Sequence, residues 1–288
     1  MTKVKIVTDS NSGITQKEAE KLGIFVLPMP FLIDGEEYFE DINLTQAEFY
    51  EHLKSNANVL TSQPAIGNVT EFWNKLLTDD SELVHIPMSS GLSESCHTAE
   101  ALAKNYGGRV QVVDNQRISI TQKQSVYDAL KLANEGKSAA EIKEILLKTK
   151  FDSSIYIALD TLKYLKKGGR LTPAAALIGT LLGIRPVLQI QGEKLDAFKK
   201  VKTVRKAKEV MIAALDSDLK NRFTEYAANG EMQISVAHTA NEAEAKLFAE
   251  ELQATFRNVP VKFIDPLSLS VSCHIGPGSL ACALSRVL

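Results

Sequence analysis

Residues 4–27, VKIVTDSNSGITQKEAEKLGIFVL, contain the alternation that decides the fold class. An apolar run, Val4 to Val7, has the length and composition of a buried strand. Thr15-Gln16-Lys17-Glu18 has the spacing of a capping box, in which hydroxyl and carboxylate oxygens accept hydrogen bonds from amides at a helix N terminus. A second apolar run, Ile24 to Leu27, follows. The segment therefore predicts a strand, a helix and a strand in succession.

The same alternation continues through the first half of the chain, where further capping boxes begin at Thr45 and Ser138. Further predicted elements are the strands Leu83 to Ile86 and Val110 to Val113, a helix through Val69, Phe72, Trp73 and Leu76, and a helix from Ser95. Strands that alternate with helices predict a mostly parallel sheet with helices on both faces, and ligands are expected where its strands end.

The second half has hairpin-like spacing and predicts an α/β domain with a mixed sheet. We place the boundary after residue 153, which gives an N-terminal domain of residues 1–153 and a C-terminal domain of residues 154–288. Thr172 and Pro173 have the residue types of an N-cap and a first helical position, before a nearly apolar helix from Ala174 to Leu182. The predicted strands are Ile155 to Leu159, Pro186 to Ile190, Leu195 to Val201, Ile234 to Ala237, Val261 to Ile264 and Leu269 to Cys273.

Composition excludes several functional classes. The formal net charge of −2 argues against general nucleic-acid binding, which needs a broadly basic surface. The three cysteines, Cys96, Cys273 and Cys282, form no C-x-x-C pair, so neither a disulfide framework nor a zinc knuckle is indicated. No apolar signal core precedes Val4, and the longest nearly apolar run, Ala174 to Ile184, is too short to span a bilayer. A soluble, cytoplasmic protein is expected.

Two hydroxyl-rich segments are candidate binding loops. Ser89-Ser90-Gly91-Leu92-Ser93-Glu94-Ser95 follows a predicted strand and opens a predicted helix, where hydroxyls and amide groups at the positive helix end favour an anion. A serine-capped turn without a ligand is the alternative. Thr61-Ser62-Gln63-Pro64 precedes another helix, and its hydroxyls could cap that helix or donate hydrogen bonds to a ligand.

Two further motifs lie in the second half. Gly168-Gly169-Arg170 places a guanidinium beside two residues that allow close backbone approach, which suits carboxylate or phosphate recognition but also a solvated surface turn. Cys273-His274-Ile275-Gly276-Pro277-Gly278 places an imidazole at the end of a predicted strand. His274 could carry a proton, donate a hydrogen bond to an anion, or be an ordinary buried residue.

Taken together, these motifs span nearly the whole chain. Their sequence order is Thr8-Asp9-Ser10, Thr61-Ser62-Gln63-Pro64, Ser89 to Ser93, the Lys167 to Arg170 turn and His274-Ile275-Gly276-Pro277-Gly278. In this order they resemble the DegV family, the fatty-acid-binding subunits of bacterial fatty acid kinase. The resemblance implies two α/β domains of a DegV-like fold, with a long-chain fatty acid buried between and within them.

The resemblance also implies the site residues. Thr61, Ser62 and Ser93 would bind the carboxylate, and Arg170 and His274 would complete the polar network around it. One departure is Glu94, where many relatives have a small residue. A carboxylate at this position could repel the ligand unless it points outward.

By the same resemblance, the protein is a substrate-binding subunit and not itself an enzyme. It would present the fatty acid to a separate ATP-dependent kinase, which makes the acyl phosphate that feeds exogenous fatty acids into phospholipid synthesis. The sequence has no G-x-x-x-x-G-K-[ST] loop, which fits a nucleotide site on the partner. No cofactor, metal or nucleic acid is expected, and transient contact with a membrane surface is compatible with this function.

A cluster of basic residues, called here the basic cluster, could dock an acidic kinase surface or be a solvated face. Its members are Lys199, Lys200, Lys202, Arg205 and Lys206.

A serine hydrolase is the alternative from another class. Gly91-Leu92-Ser93-Glu94-Ser95 approaches the G-x-S-x-G elbow, and Asp265 and His274 follow in a workable chain order. Ser95 replaces the last glycine of that motif. A protein that binds a sugar phosphate or nucleotide phosphate through the serine loop and Arg170 is a third interpretation.

Overall fold

The computed structural model describes residues 3–55, 57–78, 80–169, 183–192 and 194–288. The chain divides into two compact units. The first unit comprises Met1–Lys150 and Ser268–Ser270, and the second comprises Phe151–Leu267 and Val271–Leu288. The domain boundary predicted after residue 153 stays a prediction. The apolar helix predicted from Ala174 to Leu182, with Thr172 and Pro173, lies outside the described residues.

The first unit contains the predicted parallel sheet. Its strands are β1 (Lys3–Asp9), β2 (Phe25–Leu27), β3 (Pro30–Ile33), β4 (Glu36–Phe39), β5 (Val59–Thr61), β6 (Ser81–Ile86) and β7 (Val110–Val112). Its helices are α1 (Gln16–Leu22), α2 (Gln46–Lys54), α3 (Ile66–Leu76), α4 (Ser95–Ala103), α5 (Ser119–Asn134) and α6 (Ala139–Lys148). Strands β2, β1, β6 and β7 form, in that order, a sheet in which every pair is parallel, so this prediction is confirmed.

Helices cover both faces of this sheet because its strands are apolar on both faces. Val7 and Leu83 point to one face and pack with Trp73 of α3 and Cys96 of α4. Alternate residues of the same strands, such as Ile6, are buried on the opposite face. Helices α5 and α6 pack against β1, β6 and β7. The expected arrangement of two helical layers around the sheet is therefore present.

The predicted capping boxes differ in how fully they form. Both reciprocal hydrogen bonds are present at Thr45 of α2 and at Ser138 of α6. At α1, Thr15 accepts a hydrogen bond from the Glu18 amide at 3.1 Å. The Glu18 carboxylate instead pairs with Lys123 and accepts a hydrogen bond from Tyr127, both on α5. The Glu18 carboxylate therefore forms a tertiary ion pair in place of the reciprocal hydrogen bond to the Thr15 amide.

A three-stranded antiparallel sheet in the first unit was not predicted. Strands β4, β3 and β5 form it in that order. Asp34 and Gly35 connect β3 to β4 with φ angles of 51° and 94°. Two successive positive φ angles are typical of the tight hairpin turn that Asp-Gly favours. This dipeptide is the sequence signal for the hairpin.

The elements after residue 150 form the predicted mixed sheet. The strands are β8 (Ser153–Ala158), β9 (Arg185–Ile190), β10 (Asp196–Val201), β11 (Met232–His238), β12 (Val261–Pro266) and β13 (Leu280–Arg286). The helices are α7 (Lys163–Gly168), α8 (Val204–Asn221), α9 (Thr224–Ala228), α10 (Glu242–Thr255) and α11 (Leu269–Ile275). The strand order is β10-β9-β8-β13-β11-β12, in which β11 and β12 are parallel and the other neighbours antiparallel. The mixed sheet is confirmed.

The core of the second unit lies between this sheet and two of its helices. Met211 of α8 and Phe248 of α10 are fully buried in one apolar cluster with residues of β9, β11 and β13. Across the described ranges, no helix is both long and apolar enough to cross a bilayer.

The predicted strand from Leu269 to Cys273 is wrong, because these residues belong to helix α11. Alternation of apolar residues with serines has the period of a half-exposed strand. Here Ser270 and Ser272 are buried, and their hydroxyls are satisfied inside the protein by Asn11 and by the Leu267 carbonyl, respectively. The segment therefore has no polar face turned to water. Within the mixed sheet, β13 was not predicted, and it lies between β8 and β11.

Candidate functional site

Two loops of the first unit begin at the carboxyl ends of β1 and β6, and the loop after β6 contains the serine-rich segment. From β1 the chain proceeds to β2 on one side, while β6 pairs with β1 on the other. Such a reversal of strand order opens a crevice at the strand ends, where open α/β sheets bind their ligands. The segment after Asp9 and the segment from Pro87 to Glu94 both begin there.

Asp9 joins these two segments. Its carboxylate accepts hydrogen bonds from the Met88 amide at 2.7 Å, the Asn11 amide at 3.0 Å and Gln122 Nε2 at 3.2 Å. Burial raises the pKa of the Asp9 carboxyl to about 6, and the hydrogen bonds oppose that rise only in part. These donors are all uncharged. Asp9 was not among the predicted site residues, although its position at the end of the first predicted strand was a signal for it.

The serine loop, residues 89–95, is held mainly by its own hydroxyls. Ser90 Oγ donates to Asp114 at 2.6 Å, and Ser89 Oγ accepts from the Gly91 amide at 3.2 Å. Ser93 Oγ accepts from the Ser95 amide at 3.2 Å, at the start of α4. A hydroxyl that accepts a hydrogen bond keeps its own hydrogen for donation. Ser93 can therefore donate to an anion while it holds the helix end.

Glu94 points away from this loop. Its side chain is 80% exposed and lies 3.1 Å from His97 Nδ1. The hydrogen bond with Glu94 raises the pKa of His97. The repulsion that Glu94 could exert on a bound anion is therefore reduced by solvent and by a neighbouring imidazole.

The Thr-Ser-Gln-Pro segment connects to the same helix. Thr61 ends β5, and Ser62 is exposed with its hydroxyl donating to the Gln63 carbonyl at 3.1 Å. Gln63 Oε1 accepts a hydrogen bond from Thr98 of α4 at 3.0 Å. The capping interpretation of Thr61 and Ser62 is wrong, because the N-cap of α3 is Ala65 and no side chain caps it. Gln63 thus ties the segment to the helix that follows Ser93.

A small cavity lies beneath these loops. It has a volume of about 10 Å³ and is lined by Asp9, Gln63, His85, Ser95, Thr98 and apolar neighbours. This space admits about one water molecule, so a hydrocarbon tail does not fit. The His85 ring is 5.6 Å from the Trp73 ring and nearly perpendicular to it. Burial lowers the pKa of His85 to about 3, which keeps its imidazole neutral.

In the second unit, the glycine turn and the histidine motif meet. Helix α7 ends at Gly168, and a methyl group on Gly168 would collide with Nδ1 of His274. The prediction that His274 follows a strand is wrong, since the residue lies in the last turn of α11. Arg170 lies outside the described residues. Glycine at 168 is therefore required by close packing against the imidazole.

The two glycines after His274 have equally specific surroundings. Gly276 has a φ of 76°, and a methyl group there would collide with the Tyr164 ring. Gly278 has a φ of 82° and lies against Asp160, which forms an ion pair with Arg185. Residues with side chains rarely adopt such φ angles. The turn after His274 therefore depends on glycine for conformation at both positions and for space at Gly276.

The basic cluster lies on β10, on the start of α8 and on the connection between them, and all of its side chains are exposed. Arg205 and Lys206 form ion pairs with Glu209 at 3.1 Å and 2.9 Å. Part of the positive charge of the cluster is therefore compensated locally.

The hydrolase alternative gains no support from the local geometry. A nucleophile elbow places its serine on a sharp, strained turn directly between strand and helix. Here residues 87–92 separate β6 from Ser93. The φ angle of Ser93 is not positive, so its backbone lacks the strain of such an elbow.

Comparisons with known proteins agree over the whole chain. A family model described as "Uncharacterised protein, DegV family" matches residues 3–287. A DegV domain-containing protein of Staphylococcus aureus (strain N315) is 30% identical over 287 residues, which cover 97% of this chain and 98% of that protein.

Two solved structures share the fold from end to end. One is a crystal structure of DegV from Bacillus subtilis, a fatty acid binding protein, with 29% identity and a TM-score of 0.86 over 99% of this chain and 100% of that one. The other is a DegV family protein from Thermus thermophilus whose description concerns fatty acid binding, with 26% identity and a TM-score of 0.88 over the same shares. The motifs, the fold and these matches together place the chain in the DegV family.

Proposed function

We propose that the protein binds one long-chain fatty acid and presents its carboxylate to a separate ATP-dependent kinase. The carboxylate is bound by Thr61, Ser62 and Ser93, and Arg170 and His274 are further donors. The observation that supports this most strongly is the hydrogen bond from Thr98 to Gln63, which joins the Thr-Ser-Gln-Pro segment to the helix that follows Ser93, in a fold shared with fatty-acid-binding DegV proteins.

The physical requirements of such a ligand divide between its two ends. Burying about 15 methylenes at roughly 0.8 kcal/mol each contributes on the order of 12 kcal/mol before association costs are subtracted. An ionised carboxylate removed from water needs several hydrogen-bond donors, or its desolvation would cancel this gain. Hydroxyl, imidazole and guanidinium groups are such donors. The tail thus supplies affinity, and the polar residues fix the position of the head group.

The kinase supplies the phosphoryl-transfer chemistry in this proposal. A carboxylate oxygen attacks the γ-phosphorus of ATP on the kinase, where the nucleotide and magnesium are held, the bond from that phosphorus to the β,γ-bridging oxygen breaks, and ADP leaves. The product is an acyl phosphate, which carries exogenous fatty acids into phospholipid synthesis. We propose that the protein acts in the cytoplasm, where ATP and the kinase are present.

The ligand is tested by denaturing mass spectrometry of protein purified from a bacterial host. A long-chain fatty acid should copurify in about equimolar amount. Thr61→Val and Ser93→Ala should each lower the lipid content severalfold, because each removes a donor from a buried carboxylate. Thr70→Val and Ser55→Ala are matched controls, since these hydroxyls bond to the carbonyls of Ile66 and His52 and lie outside the candidate binding loops. Lipid-free wild-type protein, or labelling of Ser93 by a fluorophosphonate, would refute the proposal.

We also propose that the basic cluster contributes to kinase docking. Changing Lys199 and Lys200 to Glu should slow association with the kinase and leave lipid content unchanged, because charge complementarity chiefly affects association rates. Lys148→Glu is a control on the first unit, where Lys148 is 71% exposed and pairs with Glu144. Loss of bound lipid in the Lys199 and Lys200 variant would contradict this role.

A further inference from the structure

An open groove in the first unit extends well beyond the residues proposed to bind the head group. Its volume is about 530 Å³. Three connected segments line it, and its apolar lining includes Pro28, Pro30, Phe39, Ile42, Pro64 and Ile66. We call it the apolar groove. Ser62 and Gln63 also line it, so the groove adjoins the proposed carboxylate-binding segment.

Two isoleucines of the apolar groove are unusually exposed. Ile42 and Ile66 each have 57% of their surface accessible to solvent. Exposed apolar side chains grouped beside a polar rim are typical of protein interaction sites. Because the groove lies next to Ser62, a partner that reacts with the bound carboxylate would come close to it.

The rim of the apolar groove is acidic. Among the described lining residues Glu37 alone is charged, and the stretches 23–50 and 55–74, within which the lining residues fall, contain no Lys or Arg. Their acidic residues are Asp34, Glu36, Glu37, Glu40, Asp41, Glu48 and Glu71. Glu36, Glu37 and Asp41 are exposed, and Glu37 lines the groove directly. An anionic bilayer would be repelled by this surface, whereas a basic partner would be attracted.

We propose that the apolar groove docks a segment of the kinase subunit that carries adjacent apolar side chains flanked by Lys or Arg. This inference rests on the proposed function, because phosphoryl transfer brings the kinase to the carboxylate beside Ser62. A kinase surface near the transferred phosphate carries cationic groups that hold the nucleotide. The apolar floor of the groove would bind the apolar side chains, and its acidic rim would select the basic flanks.

The test uses the fatty-acid-loaded protein and the kinase subunit from the same genome. Direct association and the KM for the loaded protein in acyl-phosphate formation are both measured. The double variant Ile42→Ser, Ile66→Ser should weaken association and raise KM by about tenfold or more, because both side chains lose apolar contact with the partner. The kcat should stay within about twofold, since no group at the phosphoryl acceptor is altered.

Leu247→Ser is the matched control. Leu247 is also 57% exposed, but it lies on α10 in the second unit. Its substitution should leave association and KM unchanged. A second variant, Glu36→Lys with Glu37→Lys, should weaken association most at low salt, where the rim charge is least screened. Urea unfolding checks that the variants remain folded.

Three results would overturn the inference. They are unchanged association in both groove variants, loss of bound lipid in the isoleucine variant, and isoleucine-dependent binding to phosphatidylglycerol vesicles. Failure of the proposed function is distinguishable from these. If the kinase binds through Ile42 and Ile66 but wild-type protein yields no acyl phosphate, the docking inference stands and the phosphoryl-transfer proposal fails.

Discussion

The two units differ in how they compensate the charge of a buried aspartate. In the first unit, Asp9 is 1% exposed and receives hydrogen bonds from uncharged donors. In the second, Asp218 is 5% exposed and pairs with Arg222 at 3.3 Å. Asp218 also accepts hydrogen bonds from Ser154 and Tyr156, each at 2.7 Å.

The difference follows from where each carboxylate lies. Asp218 of α8 accepts hydrogen bonds from two residues of β8, so this compensated carboxylate holds α8 against β8. Asp9 lies at the strand ends where the candidate binding loops begin, and its charge is compensated less completely. Local destabilisation of this kind is found at functional sites because the rest of the fold holds the group in place.

The largest effect is expected at Asp218. Asp218→Ala removes the acceptor of two buried hydroxyls and the partner of Arg222, and should lower the free energy of unfolding by about 3 kcal/mol. Urea denaturation measures this. Asp216→Ala is the control, because Asp216 pairs with Lys220 at the surface of the same helix and should have little effect. An equal decrease in the free energy of unfolding in both variants would contradict the role given to buried Asp218.

The next effect concerns the pH dependence that Asp9 adds. Its carboxyl pKa rises from 3.8 to about 6 on folding, so the folded state holds the proton more tightly. The contribution of the protonated Asp9 carboxyl to the free energy of unfolding is fully present below about pH 4. It is lost as the pH rises through about 6, and the loss is on the order of 3 kcal/mol. Asp9→Asn should remove this share of the pH dependence.

Urea unfolding of wild type and Asp9→Asn at about pH 4.5 and about pH 7 isolates the Asp9 contribution as a difference. Burial also raises the pKa of Glu40, to about 7, so a slope of the same sign should remain in the variant. A wild-type protein that gains more stability than the variant between the lower and the higher pH would contradict the assignment.

A smaller effect is expected at Gly168. Gly168→Ala places a methyl group against the His274 ring and should cost about 1–3 kcal/mol. If His274 is a head-group donor, the lipid content should fall as well. Gly67→Ala is the control, since a methyl group there meets no atom within 4 Å and helix propensity favours alanine. A neutral Gly168→Ala would show that the imidazole moves freely.

The smallest effect is expected for the exposed ion pairs of the basic cluster. Arg205→Ala removes a contact with Glu209, but the Arg205 side chain is 90% exposed. Solvent screens such pairs, so the free energy of unfolding should stay within experimental error. A clear loss of stability in urea would show that surface pairs in the second unit matter as much as Asp218.

Local signals predicted most of the elements because they act over a few residues. The capping boxes at Thr45 and Ser138 formed as predicted, since both partners lie within one helical turn. The box at Thr15 formed only in part, because Glu18 pairs with Lys123, which is distant in sequence. The Leu269 segment failed for a related reason. Its serine hydroxyls found partners inside the protein, which periodicity alone cannot reveal.

The sequence by itself determined the α/β class, the parallel sheet of the first unit, the mixed sheet of the second and the motifs that resemble the DegV family. Only the tertiary structure decided that Gly168 packs on His274, that Gln63 joins Thr98, and that Asp9 is buried among uncharged donors. Periodicity and capping depend on neighbours along the chain. Contacts between distant residues, and the pKa shifts they produce, depend on which surfaces the packed elements bring together.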